Sequence, residues 1–222
     1  MNDTHRRCWL GLRTVLVTGV SLGVMVTVHA ACTGDGPSGG ILRLDRCDEF
    51  EATGLSSRSN QKRVDLAVIA GTIGVALWNG TESPSGRTAW KAFDSIVTTA
   101  VATEVIKNVF QRPRPAQSSD PDLWRQGTGN KSFPSGETAL MAAFVTPIII
   151  EHRQDTPAVW ALAALPVYMG RARMASQGHW LSDVLVGAGV GVAGGYLASE
   201  RKSPWLLVPT GDGVFVGFRQ RF

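Results

Sequence analysis

Gly178-His179-Trp180-Leu181-Ser182-Asp183 is the stretch for which the rest of the chain reads as scaffolding. With a helix opening near His179, His179 and Asp183 stand at i and i+4, one above the other on a single face. A carboxylate there accepts the Nδ1 proton, which leaves Nε2 unprotonated, oriented and more basic. An i,i+4 His–Asp pair is also an ordinary contact on a helix surface. Its meaning therefore depends on what converges on it.

Working outward, 222 residues suffice for one domain with a sizeable core. Residues 1–30 have the form of an export signal. Arg6, Arg7 and Arg13 make a basic start, Thr14 to Val28 an apolar run, and Val28-His29-Ala30 a small-x-small cleavage site. An uncleaved membrane anchor is the alternative. Cleavage after Ala30 removes three arginines and one aspartate and lowers the net charge from +4 to +2. The basic pI then argues for no nucleic-acid partner. Cys8 leaves with the signal, and Cys32 with Cys47 reads as one disulfide in an exported polar segment.

Residues 31–62 are polar and rich in Gly and Ser, an irregular arm pinned by that disulfide. A helical body follows over 63–200, with helices expected at 64–79, 88–111, 135–152, 157–172 and 179–199. Pro84, Arg112-Pro113-Arg114-Pro115, Pro134 and Pro157 punctuate them. The expected fold is all-α, an antiparallel bundle of five to six helices. A long loop from 112 to 133 carries Trp124 and Arg125, and loops of that length are often functional. Residues 201–222 alternate around Pro209-Thr210-Gly211-Asp212-Gly213 and read as a short β-hairpin tail packed on the helices. The apolar cores of the helices are shorter than a bilayer span wants, and mean hydropathy is only +0.03. That favours an exported domain at the membrane surface, with a multi-pass inner-membrane protein as the alternative. Either way the reactive residues fall on the periplasmic side.

Three clusters gather at one pole of an antiparallel bundle. Lys107 closes the second helix, with Arg114 seven residues on. Ser132-Phe133-Pro134-Ser135-Gly136-Glu137-Thr138 opens the third, and Arg173 precedes the fifth. A helix N-terminus with free N–H groups, two arginines and a lysine favour a phosphate beside His179. Singly, Lys107 reads as paired with Glu104, Ser135 as a cap and Arg114 as solvated. Their coincidence is what argues for a site.

Lys107 with Arg114-Pro115, Pro134-Ser135-Gly136, and Arg173 with His179 and Asp183 resemble the three-part signature of the type 2 phosphatidic acid phosphatase superfamily. That superfamily includes bacterial acid phosphatases and vanadium haloperoxidases. The motifs span 107–183, and the helical body extends the resemblance over about 64–199. The resemblance implies metal-independent hydrolysis of a phosphate ester or anhydride through a phosphohistidine. His179 would be the nucleophile and Asp183 its orienting partner. Lys107, Arg114, Ser135, Gly136 and Arg173 would hold the phosphoryl oxygens. The implied substrate is a lipid phosphate or pyrophosphate, with a broad-specificity periplasmic acid phosphatase as runner-up; no cofactor is implied, and no metal-ligand set is visible.

Two positions depart from the pattern. Ala172 stands where Ser is usual. Glu137 stands where the family places a histidine that protonates the leaving group. A carboxyl among arginines is held ionised and is a poor acid at neutral pH, so a weakened, phosphate-binding relative is a further alternative.

Overall fold

The computed structural model describes Cys32, residues 38–200 and the backbone of two strands at 205–210 and 213–218. The expected export signal over 1–30 lies outside the described residues. Those residues form α1 (Arg58–Asn79), α2 (Pro84–Phe110), α3 (Gly136–His152), α4 (Ala164–Ala175) and α5 (Leu181–Glu200), with a 3-10 segment, Pro157–Ala163, leading into α4. The architecture is an all-α bundle. Strands β1 (Trp205–Thr210) and β2 (Gly213–Phe218) pair antiparallel, Trp205 opposite Phe218. Their side chains lie outside the described residues.

Several boundaries differ from the hydropathy reading, for identifiable reasons. α1 starts at Arg58 rather than 64, because Ser57 caps it by accepting from Asn60 N. Its first turn is polar and escapes an apolar pattern, yet Gln61 in that turn is wholly buried. Pro84 opens α2 instead of separating helices. At the first helical position its missing N–H costs nothing, and Ser83 caps Gly86 N at 3.0 Å. α4 runs on to Ala175, which places Arg173 in its last turn. α5 starts at Leu181, so His179 stands just outside the helix. Asp183 Oδ2 reaches back to accept from Trp180 N at 2.9 Å, the acidic half of a capping box.

α3 is apolar nearly all round, with Ala139, Met141, Ala142 and Ala143 buried, and it packs against α1, α2, α4 and α5. α5 comes closest to it. A Cβ on Gly191 would lie 2.2 Å from the Ala139 carbonyl oxygen, so only glycine permits this approach of the two backbones. The close packing fixes the N-terminus of α3 beside the start of α5.

The arm is tied to the same end. Cys32 and Cys47 are disulfide-bonded and form a buried cluster with Trp180. Gln177 Nε2 donates to the carbonyls of Cys32 and Asp48, and Glu51 N donates to Ala175 O. The long loop packs Trp124 edge-on against Phe110 and Phe133.

Gly191→Ala is expected to lower the thermal midpoint by roughly 3–10 °C, since a backbone carbonyl cannot rotate out of the way. Gly189→Ala, where an added Cβ meets open space, is expected to stay within about 2 °C of wild type. Scanning calorimetry or circular dichroism of the two variants checks the contrast.

Candidate active site

The ends of α2 and α4 and the starts of α1, α3 and α5 surround a cleft of about 290 Å³. Arg58, Glu104, Lys107, Arg114, Gly136, Glu137, Arg173 and His179 line it. Four cations against two carboxylates make it an anion site, and the positive end of α3 adds to the field. Gly136 lets Lys107 come in close. A Cβ there would stand 2.9 Å from Lys107 Nζ.

His179 is 3% exposed. Its Nδ1 lies 2.6 Å from the Ser132 carbonyl oxygen. A carbonyl only accepts, so Nδ1 carries the proton and Nε2 keeps the lone pair. The expectation that Asp183 itself takes this proton is corrected: Asp183 Oδ2 is 3.7 Å from Nδ1. Asp183 acts one step back. Its Oδ2 accepts from Ser132 Oγ at 2.5 Å, holding the residue whose carbonyl orients the imidazole. Burial pushes the His179 imidazole down to about 4; Asp183 opposes that shift, and Arg173 and Arg114 add to it. The ring is therefore neutral, with a free lone pair, across the physiological range.

Behind Asp183 lies a buried ion cluster that sequence reasoning missed. Arg112 donates to Asp183 Oδ1 at 2.6 Å, Ser182 Oγ at 2.8 Å, Asp45 Oδ2 at 2.7 Å and Pro121 O at 2.6 Å. Its guanidinium also sits 4.4 Å from the Trp124 ring centroid. Arg112, Asp45 and Asp183 are all 0% exposed.

Glu137 pairs with Arg58 and, at 2.7 Å, with Nε of Arg173. Burial alone would raise its pKa, but Arg58 and Arg173 hold it below the usual glutamate value, so it is ionised at neutral pH. Arg58 went unnoticed in the sequence because it lies in the polar turn read as arm. Asp65, two turns along α1, is pushed up to about 6, first by burial and then by the charge of Glu137. Ser135 is the expected phosphate ligand that does not face the cleft. It is wholly buried, with its hydroxyl 2.9 Å from that of Thr138 and its N–H donating to Asp183 O.

A neutral imidazole of fixed tautomer thus stands among cations at a helix N-terminus in an all-α bundle. The PAP2 superfamily model matches residues 88–203, just over half of the chain. The chain belongs to this superfamily, that of the type 2 phosphatidic acid phosphatases. Over 73 residues it is 38% identical to the lipid A 1-phosphatase of Porphyromonas gingivalis, a stretch covering 32% of this chain and 16% of that protein's length. The crystal structure of Aquifex aeolicus LpxE superposes with a TM-score of 0.46 at 19% identity, covering 64% of this chain and 83% of that one.

Titration of His179 in the free protein by nuclear magnetic resonance is expected to give a midpoint near 4. A midpoint at or above 6.5 would show that burial and the flanking guanidiniums do not govern the ring.

Proposed function

We propose that the protein is a metal-independent lipid phosphatase of the cell envelope, working through a phosphohistidine on His179. The observation that carries this reading is the Nδ1–Ser132 carbonyl bond, which leaves Nε2 as the nucleophilic nitrogen of a ring that lines the cationic cleft. In the first step the Nε2 lone pair bonds to phosphorus, and the bond to the leaving oxygen breaks with its electron pair on that oxygen. Lys107, Arg114, Arg173 and the Gly136 N–H stabilise the charge on the remaining oxygens. In the second step water attacks phosphorus, the N–P pair returns to Nε2, and Glu137 takes the proton from the water before passing it to solvent.

This assigns Glu137 as a base, since its ion pairs keep it ionised, and leaves the first step without an acid. General acid catalysis is worth roughly 10²–10⁴ in rate. An alkoxide leaving group feels that loss in full, whereas a departing phosphate is a weak base and hardly needs the proton. The favoured substrate is therefore a lipid pyrophosphate, such as a polyprenyl carrier, ahead of a simple monoester.

A lipid surface fits the exterior. Val101, Val105 and Val109 are exposed at four-residue spacing on α2, Leu185, Val192 and Tyr196 are exposed at spacings of seven and four on α5, and Trp78 is 91% exposed. Among the described residues one helix, Leu181–Glu200, is long and apolar enough to cross a membrane. We place the active site in the periplasm, with the apolar faces against the membrane.

The test is a panel of polyprenyl pyrophosphate, lipid monophosphate, lipid A and a soluble ester at neutral pH. Wild type is expected to favour the pyrophosphate over the monoester in kcat/KM by about 10²-fold or more, and Glu137→His to narrow that ratio by raising monoester turnover. Equal wild-type rates on both would refute the missing-acid argument. His179→Ala is expected to abolish turnover on every substrate.

A further inference from the structure

Asp45 lies in the arm, outside the family-matched segment 88–203, yet its carboxylate is wholly buried against Arg112 and Ser182, behind Asp183. Its Oδ2 accepts from Arg112 and from Ser182 Oγ, each at 2.7 Å, and its Oδ1 accepts from Ser182 N at 2.7 Å. The arm builds a cradle for it. Gly39 and Asp45 exchange backbone hydrogen bonds at 3.0 Å across the turn at Ile41–Arg43. Gly40 has φ 71°, and a Cβ there would sit 1.9 Å from Asp45 Oδ2. Gly40 N donates to Asp122 of the long loop, and the Cys32–Cys47 disulfide closes the segment two residues beyond Asp45.

The charges make this placement matter. Arg112 and Asp183 alone would cancel, leaving nothing behind His179 to favour a positive ring. With Asp45 in place, two carboxyl groups share the one guanidinium of Arg112. Attack by Nε2, with Nδ1 still protonated, puts a positive charge on the imidazole as the N–P bond forms. On the phosphohistidine reading, we propose that Asp45 is a positioning residue for the reaction: it holds Arg112 and Ser182 in place and shares the Arg112 guanidinium with Asp183, so that the pair of carboxyl groups favours the charge that develops on His179. The arm is then a structural part of the active site, and the disulfide keeps it there.

Vanadate separates this role from a merely structural one, because bonded to Nε2 it mimics the transition state while inorganic phosphate mimics the ground state. In the full chain, Asp45→Asn is expected to lower kcat about 10–100-fold, the range for groups one layer behind a reacting ligand. The inhibition constant for vanadate should rise by a similar factor, with KM and the inhibition constant for phosphate within about threefold of wild type. Cys32→Ser/Cys47→Ser should show the same split to a smaller extent, and combining it with Asp45→Asn should add little further loss. Equal weakening of vanadate and phosphate, or an unchanged kcat, overturns the assignment. If Asp45→Asn does not fold, the double serine variant decides alone, on the same split. A wild-type chain that neither hydrolyses phosphate compounds nor binds vanadate refutes the phosphohistidine reading itself, whereas an active wild type with an indifferent Asp45→Asn refutes only the role of Asp45.

Discussion

The buried guanidinium of Arg112, gripped by Asp45 and Asp183, is the interaction on which the rest of the structure depends. An ion taken out of water costs several kcal/mol unless it is paired and its donors are filled, and removing one partner typically costs about 3–5 kcal/mol. The two terminal nitrogens of Arg112 find their partners only when three separate pieces of chain arrive together, while its Nε has no hydrogen-bond partner among the described residues. The arm brings Asp45, the long loop brings the Pro121 carbonyl, and the start of α5 brings Ser182 and Asp183. Each piece lacks regular structure where it makes contact, or is only beginning a helix. The ion cluster therefore orders the loops that the bundle by itself would leave free, and these are the loops that shape the site.

The bundle supplies the complementary part. Packing of α3 on α5 through glycine brings two helix N-termini side by side, and Arg58, Lys107 and Arg173 line the cleft at the same end. Such a convergence of positive charge destabilises the empty protein unless something offsets it. Glu137 does so, by pairing with Arg58 and Arg173 across the cleft. The carboxylate at the position where the family has a histidine thus has a structural consequence: it ties the start of α1 and the end of α4 to the start of α3.

Much of this was legible in the sequence, and the remainder failed for physical reasons. The helices announce themselves through apolar periodicity, and the family match agrees with the three motifs from Lys107 to Asp183. Asp45 carries no such signal. It is one acidic residue in a polar arm, and its partner Ser182 is 137 positions away. Arg112 read as part of a helix-breaking proline run, and nothing local tells a buried arginine from a solvated one. Arg58 fell in a polar first turn whose only buried side chain is glutamine. The tautomer of His179 was assigned to the wrong acceptor because side-chain spacing pointed to Asp183, while a backbone carbonyl from another segment is invisible to any motif.

The most direct test of the account is to quench the enzyme during turnover of a phosphorus-labelled lipid pyrophosphate, under alkaline conditions that preserve phosphohistidine, and to locate the label by peptide mass spectrometry. The account predicts a single labelled site, His179, with occupancy that rises in Glu137→Gln because the water-dependent second step is slowed. Label on any other residue, or turnover with no protein-bound phosphoryl group in either chain, would contradict it.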